Sequence, residues 1–275
     1  MTDCEGDDII WDMRRFICIP LFLIILSGCG GSSLRLEELR PIDAPFADEI
    51  VSSLNSTTLL MGSFRTTLTI SVDSAGSHQE LRGYLRYKYP DKFRLDLMGA
   101  LNELRAVIVA NGDDFLMLLT QEKEAISDKL SDRLLEEIFG IKMRISDVRG
   151  AVLANPIFGK KRERLKVGVS PDGEYAIRFN AGQTLEEIKV REFEGRYVVS
   201  RWIIYDKSGE PIQDTSFSSY SLADGLPRPL KVKVLRERER TRVVFSASNP
   251  QVNADIPDST FSVEIPPGVT IRSVR

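Results

Sequence analysis

From Phe64 to Ala247 the chain returns again and again to an alternation of period two, and that period limits its fold more than any other feature. Alternation of this kind places one set of side chains on one face of a β-strand and cannot serve a helix, whose period is about 3.6. Phe64, Thr66, Leu68, Ile70 and Val72 alternate with Arg65, Thr67, Thr69 and Ser71. Leu81, Gly83, Leu85, Tyr87 and Tyr89 alternate with Arg82, Tyr84, Arg86 and Lys88. Pro90-Asp91 turns the chain, and Phe93, Leu95 and Leu97 resume against Arg94 and Asp96. Arg105–Ala110 and Phe115–Thr120 flank Asn111-Gly112-Asp113, an Asn-Gly turn of the kind that joins paired strands. Together these runs predict an antiparallel meander with one apolar and one charged face.

A helical interlude follows. Leu130, Leu134, Leu135 and Ile138 fall on one stripe, with Ser127 or Ser131 as the starting cap and Gly140 as the stop, which predicts a helix over 127–139. Ser146-Asp147 opens a second short helix through Val148, Val152 and Leu153, closed by Asn155-Pro156. Upstream, Ile50, Val51 and Leu54 predict a helix over 46–54, with Pro45 at its first turn. Alternation then returns at Leu165–Val169, Tyr175–Phe179, Ile188–Val190, Val198–Ile204, Leu230–Val234, Val243–Ala247 and Phe261–Ile265. The expected fold is mainly β with an α lid: a curved antiparallel sheet, an open half-barrel of about 10–11 strands, covered by short helices. A sheet that large curls, and its apolar face must be covered or filled with ligand.

The N-terminus has a different logic. Met13-Arg14-Arg15 is a short basic segment, Phe16–Leu26 an apolar run, and Leu26-Ser27-Gly28-Cys29 has the small residues and cysteine of a bacterial lipobox. The apolar run is too short to cross a bilayer, which needs about 20 residues. Cleavage before Cys29 would leave its thiol acylated at a new N-terminus. Asp3, Glu5, Asp7, Asp8 and Asp12 are unfavourable in an export signal, so Met13 is the expected true start. The expected organisation is a signal segment at 1–28, a tether at 29–33 and one domain at 34–275.

Charge and chemistry narrow the function. The full chain has 37 Lys+Arg and 40 Asp+Glu; residues 1–28 hold two and five of these, which leaves 35 of each. No basic surplus recruits nucleic acid. Arg236-Glu237-Arg238-Glu239-Arg240 alternates in sign and reads as a solvated strand end and turn. Cys4 and Cys18 leave with the signal, so Cys29 has no disulfide partner. The single histidine, His78, lies in the turn Ser74–Gln79, a poor place for a catalytic base. No CxxC, HxxEH, P-loop or GxGxxG spacing occurs, and no pair of carboxylates stands out. The chain is expected to be a binding protein without cofactor or metal, not an enzyme.

Four stretches carry a family resemblance. They are the lipobox with Cys29; Tyr89–Leu101, a strand entering an apolar loop; Leu134–Gly140 with Asp147–Gly150 and Leu153–Pro156; and Leu226–Val232 with Phe261–Val269. In them the chain resembles the bacterial lipoprotein-localisation proteins: the periplasmic carrier LolA and, more closely, the outer-membrane receptor LolB. The resemblance implies a half-barrel that holds lipoprotein acyl chains under a helical lid. It implies an outer-membrane lipoprotein facing the periplasm, anchored through Cys29, that receives cargo from a LolA-like carrier and aids its insertion. By analogy, Gly30 after the acylated cysteine permits export to that membrane. Leu97, Met98 and Leu101 would then form the membrane-insertion loop. Phe64, Leu68, Leu85, Tyr87, Leu95, Val107, Met117, Trp202 and Ile204 are the candidates for the acyl cavity. The expected partners are the membrane and acyl chains, with no nucleic acid, and the protein is expected to be a monomer. The alternative is a structural or assembly-factor lipoprotein that uses the same half-barrel to grip a protein.

Overall fold

In the computed structural model, which describes residues 38–74, 76–99, 101–139 and 144–273, the alternating runs pair into ladders. The first half of the sheet is built from β1 (Arg40–Pro41), β2 (Ser63–Ser74), β3 (Ser77–Lys88), β4 (Lys92–Met98), β5 (Leu104–Asn111), β6 (Asp114–Leu119) and β7 (Glu124–Lys129). The second half is β8 (Lys166–Val169), β9 (Tyr175–Ala181), β10 (Thr184–Phe193), β11 (Arg196–Tyr205), β12 (Pro211–Ala223), β13 (Leu226–Arg236), β14 (Thr241–Val252) and β15 (Thr270–Arg272). Among the described residues they form one 15-stranded sheet in the order β1-β8-β9-β10-β11-β12-β13-β14-β2-β3-β4-β5-β6-β7-β15. Only the β15–β7 pair is parallel. The order is linear with two edges, so the curved sheet stays open. The expected fold class is the observed one, in a single compact unit, Ser33–Arg275.

The strand inventory is larger than the alternation predicts, and the omissions have physical causes. In β12 the inward positions include Gln213 and Thr215, buried by hydrogen bonding rather than by apolarity. In β7 only Ala125 and Ile126 are apolar. The chain at Phe261–Ile265 is not a strand: a 3-10 turn covers Asp258–Phe261, and no ladder pairs the residues after it. Phe261, Val263 and Ile265 alternate because they lie against the outer face of β5–β7 with Val107, Val109 and Leu118. Alternation reports a half-buried extended chain, whether or not its backbone pairs.

Three helices cover the inner face. In α1 (Ala44–Leu59) the Asp43 carboxylate accepts from the Phe46 N–H at 3.3 Å, and Pro45 sits in the first turn. The helix runs past Leu54 because the hydroxyls of Ser56, Thr57 and Thr58 bond back to carbonyls one turn earlier. In α2 (Asp132–Phe139) the cap is Ser131, whose hydroxyl accepts from the Leu134 N–H at 3.1 Å; Ser127 belongs to β7. The third, α3 (Ile145–Leu153), ends at Ala154 in the left-handed conformation, just before Asn155-Pro156. Gly140, Cys29, Gly30, the signal segment and the tether at 29–33 lie outside the described residues.

A tight contact seats α3 on the sheet. A Cβ at Gly150 would lie 3.2 Å from the Pro156 Cα and from two ring carbons of Trp202. Gly150→Val is therefore expected to lift α3 and destabilise the fold by about 1–3 kcal/mol, the usual cost of overpacking. Chemical denaturation would show the effect; an unchanged midpoint would refute the close seating.

Candidate functional site

The inner face divides into a filled part and a half-open part. Ile50, Val51 and Leu54 of α1 pack on Ile177, Ile188, Val199, Trp202, Ile204 and Phe217, all buried. Over β2–β6 the cover is thinner. Leu68, Ile70 and Leu85 are buried, while Val72, Leu95, Leu97, Met117, Val243 and Phe245 stay half-buried. Phe93, Leu95 and Leu97 touch two clusters at once, one with Leu153 of α3 and one with Leu134 of α2. An apolar trough thus lies on β2–β6 and β14 between α2 and α3.

Both ends of α3 are tied to the sheet by buried polar groups. At its start Arg144 donates to Asp147 and, at 2.8 Å, to the carboxylate of Glu186; Glu186 also accepts from the Trp202 indole N–H at 2.9 Å. At its end Arg228 of β13 donates to the carbonyls of Leu153 and Val152. These are last-turn carbonyls without an intrahelical donor, where a cation is favoured. The Arg228 guanidinium also lies 4.5 Å from the centroid of the Phe64 ring, and its Nε has no hydrogen-bond partner among the described residues. Burial lowers its pKa to about 10. Beside it, burial raises the Tyr87 phenol to about 12, and the hydroxyl donates to the Pro90 carbonyl at 3.1 Å. By comparison α2 is lightly held: Leu134 is buried, and the Asp132 carboxylate accepts from the Ile145 N–H.

The candidate residues separate accordingly. Leu68, Leu85, Leu95 and Met117 come together on the trough floor. Phe64 and Tyr87 lie at its closed end, beneath Arg228 and α3. Trp202 and Ile204 face inward but sit under α1 and α3, so they seat helices rather than line the trough. Val107 is a correction: it points to the outer face, under the C-terminal segment with Ile256 and Phe261. Ala106 and Ile108 take the inward positions of β5, so the register there is opposite to the one assumed. The sequence reading missed Arg228 and Glu186, since a lone Arg between prolines and a Glu in a charged strand give no periodic signal.

The β4–β5 loop carries the most exposed large apolar side chain among the described residues, Leu101, at 91%. Glu103 holds the loop: its carbonyl accepts from the Gly99 N–H at 2.8 Å, and its carboxylate accepts from the Leu101 N–H at 3.0 Å. Asn102 takes a positive φ of 62°. Leu97 turns into the trough and Met98 is half-buried, so Leu101 alone of the three stands out.

A second concavity, a groove of about 420 Å³, lies on the outer face between β5–β7 and the C-terminal segment, lined by Val109, Leu116, Val263 and Ile265 among others. His78 is exposed at the β2–β3 hairpin and pairs with Asp73 at 2.6 Å. Among the described residues no helix is long and apolar enough to cross a membrane.

An open, curved, mainly antiparallel sheet with a few short helices on its inner face and an apolar trough beneath them is the LolA-like fold. Solved structures share it. A DUF1329 family protein from Desulfovibrio piger aligns over 78% of this chain and 97% of its own, with 13% identity and a TM-score of 0.58. A LolA superfamily protein from Nitrosomonas europaea covers 78% and 98%, with 14% identity and a TM-score of 0.54. A domain described as an outer-membrane lipoprotein-sorting protein, from Vibrio parahaemolyticus, covers 78% and 97%, with 12% identity and a TM-score of 0.55. No family model and no curated protein matches the chain by sequence.

Proposed function

We propose that this protein is a LolB-like envelope lipoprotein. In this reading acylated Cys29 anchors it in the outer membrane, facing the periplasm, and the trough holds acyl chains of lipoproteins on their way into that membrane. The observation that carries the reading is the half-buried apolar band of Val72, Leu95, Leu97, Met117, Val243 and Phe245 between two helices. Covering a methylene of an acyl chain is worth about 0.8 kcal/mol, so even a few carbons bound there give useful affinity. The lightly held α2 is the cover that would shift to admit them, with α3 as the fixed wall. Such a site needs no cofactor and no proton transfer, which agrees with a binding protein rather than an enzyme. A LolA-like carrier is the proposed donor of the cargo.

Native mass spectrometry of protein purified without detergent is expected to show co-purifying acyl species, lost on Leu95→Glu. A ligand-free spectrum, unchanged when lipoprotein acyl chains are supplied, would defeat the reading. A second reading, an assembly factor that grips a protein, draws on the outer groove and on the unladdered segment beside it. Its mark would be an empty trough together with a stoichiometric protein partner.

A further inference from the structure

The two rims of the half-barrel differ. One bears the Leu101 loop together with charged hairpin ends: Asp73 with His78, the turn after Arg236, and Asp206 paired to Arg238 at 2.7 Å. The register places the other rim at the opposite strand ends, where β3 meets β4, β12 meets β13 and β8 meets β9. There Leu59, Leu60, Tyr89 and Leu222 are 61%, 54%, 45% and 49% exposed. They are neighbours through the frame: the Tyr89 N–H donates to the Gly62 carbonyl, Asn253 donates to the Leu60 carbonyl, and Asp224 accepts from the Val252 N–H. Farther along the same rim Phe46, Tyr175 and Tyr197 are half-buried in an edge-to-face cluster, with centroids 5.2–6.2 Å apart. Leucines beside tyrosines, whose rings are apolar and whose hydroxyls stay wet, suit a membrane–water interface.

The chain itself enters the fold at this rim. Arg40 pairs with Val169, and Val169 pairs with Tyr175 at the β8–β9 hairpin. Cys29 is ten residues before Leu39, a reach of at most about 36 Å. We infer that the rim bearing Leu59, Leu60, Tyr89, Tyr175 and Tyr197 is a docking surface for the phospholipid bilayer that holds the acylated Cys29. The inference rests on the lipid anchor proposed above. A patch this small would not hold a free protein on a membrane, but a tether makes the contact intramolecular and raises its effective concentration. Docked in this way, the body points Leu101 away from its own membrane, toward arriving cargo. Handing cargo to that bilayer then requires the body to tip over, and the tether is long enough to allow it.

The test uses the acylated protein in phosphatidylethanolamine–phosphatidylglycerol vesicles containing brominated lipid, with Leu60→Trp and Leu101→Trp compared against the wild type and its buried Trp202. Leu60→Trp emission is expected to be quenched several-fold more than that of Leu101→Trp, and Leu59→Glu should abolish the difference. If Leu60→Trp stays unquenched, or Leu101→Trp is quenched as strongly, the docking surface is refuted. Intact-mass measurement of the same samples separates the two ideas. An unacylated Cys29 overturns the anchor and this inference with it; an acylated Cys29 with unquenched Leu60→Trp overturns the inference alone.

Discussion

Leu101→Glu is expected to leave acyl cargo bound in the trough and to slow its passage into vesicles by about a hundredfold. The side chain is 91% exposed and contributes nothing to the core, so the substitution should leave folding intact. Its effect lies at the moment the loop meets lipid. A leucine entering the hydrocarbon region is slightly favoured, whereas a charged side chain there costs about 3 kcal/mol, or two factors of ten. Glu103 keeps the loop in shape by accepting from the Leu101 backbone N–H, which the substitution does not remove. Transfer of labelled lipoprotein to vesicles, measured alongside retention of cargo, reads the two effects separately. Unchanged transfer would show that the loop is not the delivering element; loss of retention as well would show that Leu101 belongs to the binding site.

Trp202→Ala is expected to be the most destabilising single change considered, lowering stability by about 3–5 kcal/mol. For a domain of this size that corresponds to a fall in Tm of about 10 °C. The indole is 1% exposed and fills the space between α3 and the sheet. It also donates the 2.9 Å hydrogen bond that orients Glu186 toward Arg144. Its loss therefore leaves a cavity and loosens the start of α3 together. Differential scanning calorimetry would measure the loss. A cycle with Gly150→Val is the sharper check, because the added methyls could move into the vacated space. The two changes should then be less costly together than their sum. Strict additivity would mean that Trp202 does not seat α3.

Much of the fold was legible, and what was missed has a common cause. Phe64–Val72, Leu81–Tyr89 and Phe93–Leu97 showed their strands because apolar and charged residues alternate without interruption. In β12, Gln213 and Thr215 take inward positions through hydrogen bonds, so burial there left no trace in hydropathy. Phe261–Ile265 showed the opposite error, a strand pattern on a chain that lies across a sheet without joining it. The trough floor was half legible. Leu68, Leu85, Leu95 and Met117 were placed together, but Val107 was assigned to the wrong face by one residue of register, and one residue is enough to reverse a strand's side chains.

The sequence by itself determined the strands, the order in which they pair as hairpins, and the presence of short helices, because these depend on side chains a few positions apart. It also carried the lipobox pattern at Cys29, which is read locally. Only the tertiary structure decided which face α1, α2 and α3 cover, that Arg228 and Glu186 grip the two ends of α3, and that Leu101 and the entering chain sit on opposite rims. Those relations join residues that are distant along the chain, and they are set by sheet curvature and helix packing, which no local pattern records.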